Sequence, residues 1–144
     1  MILDATNLFS NAQAITATAA STNIIDLGAP GTVYGAVTPL VRDIGKGEEI
    51  ELAMRVVESF NNLTSLTISI ETDDNAGFAS ATTIYTSPAY ALADLQTGAR
   101  HLLPDELPVG TNERYARLKY TVVGTAPTTG KITAGVAAAI QTNG

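Results

Sequence analysis

Two runs of strict alternation constrain this chain more than any other feature. Ile50, Leu52, Met54 and Val56 share one parity, and Glu49, Glu51, Ala53 and Arg55 take the other. Further on, Leu66, Ile68 and Ile70 alternate with Thr67, Ser69 and Glu71. Successive side chains of a strand point to opposite sides of a sheet, so each run reads as a strand with one dry face and one wet face. The polar break at Asn61-Asn62 is short enough to bring the second strand back beside the first. That predicts a hairpin across residues 48–85 at the heart of a sheet.

The remaining strands are shorter. Residues 13–22 are rich in alanine and threonine with no 3.6-residue stripe, which favours an extended segment over a helix. Asn23–Leu27 reads as a short strand ended by Gly28-Ala29-Pro30-Gly31, and Val33–Val37 as another. Ala81–Tyr85 and Ala99–Leu103 follow, with one or two helical turns at most around Ala91–Leu95. Arg114–Val123 alternates cleanly, with Ala116, Leu118, Tyr120 and Val122 on one face. Lys131–Ile140 has small or apolar residues on both faces, so it is either covered on both sides within its own fold or packed on another protein. About eight short strands separated by Gly, Pro and Asx turns predict an all-β, two-sheet antiparallel sandwich, most simply a jelly roll. Residues 1–12 form a polar arm with an anchor at Leu8-Phe9, which either tucks under the sandwich or reaches a neighbour. Residues 13–144 form a single jelly-roll domain.

A chain of 144 residues is long enough to bury a core without staples. It has no cysteine, which removes disulfides, thiolate nucleophiles and cysteine-bound metals. His101 is the only histidine, so a multi-histidine metal site is excluded, and no G-x-S-x-G accompanies it. It reads as a packed residue inside a strand. Asp73-Asp74-Asn75-Ala76-Gly77 lacks the spacing of a calcium loop and reads as turn chemistry. Gly45-Lys46-Gly47 is not a phosphate-binding loop. Glu48, Glu49 and Glu51 read as a solvated face rather than the paired carboxylates of a glycosidase. Asn62-Leu63-Thr64 fits the glycosylation pattern, a motif common by chance. No enzyme, cofactor or metal is expected. Tyr34, Tyr85, Tyr90 and Tyr115 could build a sugar-binding platform if exposed together, which keeps a carbohydrate-binding or adhesion module as the alternative.

The net charge of −6 argues against direct contact with nucleic acid, and no apolar run approaches a membrane span. The charge is unevenly placed. All fourteen acidic residues lie at or before Glu113, and from Arg114 onward there are four bases and no acid. Two readings follow: neighbouring strands exchange ion pairs, or a basic strip docks on an acidic partner.

The layout resembles the small jelly-roll cement, or decoration, proteins on the capsids of certain tailed bacteriophages. The likeness runs through MILDATNLFSNAQAITATAASTNIIDLG, GKGEEIELAMRVVESF, LTISIETDDNAGFASATTIYTS, LADLQTGARHLLP and ERYARLKYTVVGTAPTTGKITAGVAA. It carries no catalytic signature. The resemblance implies a virion protein on the outer capsid surface, made in the bacterial host. Its partners would be the major capsid protein and a second copy of itself, with a homodimer bridging neighbouring capsomers. Leu8, Phe9, Arg117, Lys119, Ala137 and Ala139 are the candidate interface residues.

Overall fold

The computed structural model describes residues 2–42, 44–47 and 49–140, which form two antiparallel sheets. One sheet runs β1 (Ile2–Ala14), β9 (Lys131–Ala139), β4 (Leu52–Glu58). In the other, β8 (Tyr115–Gly124) lies beside β5 (Leu63–Asp73) at the centre. Short strands β2 (Ala19–Ala20) and β3 (Ile25–Asp26) share the lane outside β8, and β6 (Thr82–Thr86) and β7 (Tyr90–Ala91) share the lane outside β5. Residues 98–107 add an irregular lane to the outer edge of β4. The Gly98 N–H donates to the Val56 carbonyl at 2.9 Å, and the Leu52 N–H to that of Asp105 at 2.8 Å. Lane by lane, the chain visits the first sheet, the second, the first, the second twice, then the first, the second and the first again. That interleaving, with first and last lanes adjacent, is the strand order of a jelly roll. A single 3₁₀ turn, Leu92–Asp94, occupies the place where a short helix was expected.

The alternation sets which side chains go inside. Leu66, Ile68 and Ile70 of β5, Ala116, Leu118 and Tyr120 of β8, and Leu52, Met54 and Val56 of β4 are all buried. Ile68 stands opposite Tyr120 and Ile70 opposite Leu118, so the inner parities face one core. Burying each large apolar side chain contributes about 1.5–3 kcal/mol, which is what pins the register.

The expected hairpin is not formed. β4 pairs with β9 and β5 with β8, so the two alternating runs lie in opposite sheets and meet through their dry faces. Alternation fixes a strand's faces and says nothing of which strand lies beside it. The four residues 59–62 cross between layers about 10 Å apart instead of turning back. Asn62 adopts a left-handed conformation (φ 64°), and Phe60 is buried at the crossing. The Asn61 side chain accepts the N–H groups of Thr128 and Thr129 at 2.8 and 3.1 Å, tying the crossing to the next corner.

Residues 2–12 do not form a free arm either. They are most of β1, paired with β9 across several register breaks. Between Leu3 and Leu8 the strand bulges, and Asp4 holds the bulge by accepting the Thr6 N–H at 2.9 Å and the Asn7 side-chain amide at 2.6 Å. The bulge folds over Gly135. A Cβ there would lie 2.6 Å from the Asn7 carbonyl oxygen, so only glycine lets β1 approach. Phe9 is fully buried in the core, because strand parity after the bulge turns it inward. Val33–Val37 and Ala99–Leu103 are not strands; only Arg100 of the latter bridges to β4.

Candidate interaction surfaces

The late bases are spent within the fold. Arg114 makes a bidentate pair with Asp26, at 2.9 and 2.8 Å, where β3 meets the start of β8. Its guanidinium, followed by the Gly28 N–H, pulls the Asp26 carboxyl down to about 2. Arg117 sits 2.7 Å from Glu71 directly across the β5–β8 ladder, and Lys119 reaches the same carboxylate at 3.6 Å. The Phe78 ring lies 4.1 Å over the Arg117 guanidinium, covering the pair. Lys131 pairs with Glu58 across β9 and β4. All four bases therefore serve as cross-strand partners, with Arg117 and Lys119 sharing the Glu71 carboxylate.

The six candidate interface residues do not converge on one surface. Phe9 and Ala137 are buried, Leu8 is half-buried against Gly135, and Ala139 is exposed at the end of β9. On β9, Gly135 is small because it receives the β1 bulge, and the Ala137 N–H donates to the Glu51 backbone carbonyl at 2.8 Å. Of the tempting sites, Asp73 is a turn residue, accepting the N–H groups of Asn75 at 2.8 Å and Ser80 at 2.7 Å; those bonds, the Asn75 N–H first, lower its pKa. Glu49 and Glu51 are exposed; Glu48 lies outside the described residues. His101 is not packed in a strand. It is exposed, left-handed (φ 64°), and 3.8 Å from Asp105. Among the described residues no three carboxylate or imidazole groups converge as a metal site. The tyrosines also separate: Tyr85 and Tyr90 pack on the core, Tyr115 lies beneath Arg114 at 5.0 Å, and Tyr34 is fully exposed.

Tyr34 belongs to the surface that the sequence reading missed. Between Leu27 and Arg42 the chain leaves the sandwich as a compact loop. Its neck is closed by the Leu40 N–H donating to the Gly31 carbonyl at 2.8 Å. Its tip is a tight turn in which the Ala36 N–H donates to Val33 at 3.0 Å, with Gly35 at φ 83°, the position that favours glycine in a type II turn. The base is clamped by Arg42, whose guanidinium donates to the carbonyls of Leu27, Gly28 and Glu113. This loop presents Val33, Tyr34, Val37, Leu40 and Val41 to solvent, with Val37 98% and Val41 87% exposed. No charged residue lies between Asp26 and Arg42. A signal was available: a charge-free apolar run interrupted by three glycines and two prolines cannot extend a strand far.

The family model named Bbp16 matches residues 9–138. The chain belongs to the Bbp16 family. This is a family of Bordetella phage proteins. The Bbp16 match begins at the buried Phe9 and ends one residue short of the end of β9, so it takes in both sheets and the exposed loop. No curated protein matches the chain. No helix among the described residues is long and apolar enough to cross a membrane.

Proposed function

We propose that this protein is a structural component of a phage head, a cement protein that binds the outer capsid surface. In this reading it self-associates as a homodimer, bridges neighbouring copies of the major capsid protein and stabilises the shell without catalysing a reaction. The observation that carries the reading is the loop of residues 31–41. It holds five large apolar side chains in water, on a fold whose late bases are already paired with its own acids. A neutral apolar projection on an acidic body gains by entering a cleft on another protein, where each buried side chain contributes up to about 1.5–3 kcal/mol. Single contacts of that size are weak. Two loops on one dimer make the second contact nearly intramolecular, and avidity then exceeds either affinity.

The test is binding to heads that lack the protein. Replacing Val37 and Val41 with Asp is expected to abolish sedimentation with heads while the circular dichroism and melting temperature stay those of the parent. Undiminished binding by that variant would remove the loop from the account.

A further inference from the structure

We propose that β6 is the strand through which two copies of this chain join, edge to edge, into one continuous sheet. The inference rests on the self-association proposed above and names where it occurs. The other edges are closed or broken. Residues 98–107 occupy the edge of β4. β1 is interrupted by four register breaks and tied back by the Asn23 N–H donating to the Phe9 carbonyl. β2, β3 and β7 are two residues long, and Pro88 precedes β7. β6 runs five residues, Thr82–Thr86, with a single bulge opposite the Ile70–Glu71 step. Its backbone pairs with β5 on one side; among the described residues no backbone group of the chain pairs with it on the other.

Edge strands that must stay alone are guarded by lysine, proline or inward charge. β6 has none of these: its sequence is Thr-Thr-Ile-Tyr-Thr, and no charged residue lies between Asp74 and Asp94. That neutrality points to the occupant. Two chains of net charge −6 repel at most approaches, and a charge-free strand lets them meet without opposing carboxylates. An antiparallel pairing of β6 with the β6 of a second copy is also self-complementary about a two-fold axis, as a closed dimer requires.

Sedimentation of the purified protein, with no heads present, tests this separately from capsid binding. At micromolar concentration the protein is expected to run as a dimer. Thr83→Lys with Thr86→Lys, both at exposed positions, is expected to weaken dimerisation about tenfold or more by setting like charges across the axis. If circular dichroism shows that this pair unfolds the sandwich, Thr82→Lys, also exposed, replaces it with the same expectation. A monomeric parent overturns the proposal. So does a folded lysine variant that dimerises as the parent does, which would put the contact elsewhere. Loss of head binding with the dimer intact would also overturn it, because β6 would then serve the shell instead.

Discussion

Ile68 and Tyr120 face each other across the β5–β8 ladder and carry different costs if altered. Ile68 is fully buried hydrocarbon, so Ile68→Ala is expected to lower the unfolding free energy by about 2–5 kcal/mol in denaturant titration. Tyr120 ends in a hydroxyl 2.8 Å from Ser10 Oγ, which in turn donates to Gln13 Oε1 at 2.7 Å. Ser10 has one proton and spends it on Gln13, so Tyr120 is the donor. Burial pushes the phenol pKa up and keeps that proton in place. Tyr120→Phe removes one such bond and is expected to cost about 0.5–1.5 kcal/mol. At acidic pH the carboxylates govern stability. Asp26, held down to about 2 chiefly by Arg114, and Asp73, Asp4 and Glu58, also lowered, all bind protons more weakly folded than unfolded. Their stabilisation is therefore complete above the unfolded value and lost below it. The melting temperature should hold level down to about pH 5 and fall between about pH 4 and pH 2. A melting temperature that rises on acidification over that range would contradict the assignment.

At the scale of elements, β1 is the strand whose removal now has a definite outcome. Because Phe9 fills the core and β1 borders β9, deleting residues 1–9 is expected to abolish cooperative unfolding, read by circular dichroism during heating. A truncated protein that melts like the parent would show that the strand is dispensable. The contrast with β5 and β8 shows what the sequence could tell. Ile68 and Leu118 lie in clean alternation, and period two placed both inside correctly. β1 bulges at residues 4–7, and a bulge shifts parity by adding residues, so Phe9 could not be placed from spacing. The partner of β4 was hidden for another reason: a crossing between layers and a hairpin both need only a short polar link. The loop of residues 31–41 escaped because apolar residues imply burial on average, and Val37 and Val41 are exceptions to that tendency. Charge pairing between neighbouring strands was legible as one of two readings, and it is seen in the register of Arg117 opposite Glu71.

The whole molecule is an acidic jelly roll whose late bases are paired with its own acids and whose most exposed apolar side chains, Tyr34, Val37 and Val41, stand on one loop. With its late bases paired, such a body gains less from attraction to an acidic partner than from fitting apolar groups into protein. Binding only to the assembled shell would stabilise that shell by linkage, in proportion to occupancy. The most direct test is to add purified protein to heads that lack it, image them, and heat them beside untreated heads. Density on the outer surface between neighbouring capsid subunits and a higher temperature of head disruption are the expected results. Bare heads after incubation, with an unchanged disruption temperature, would contradict the proposed role.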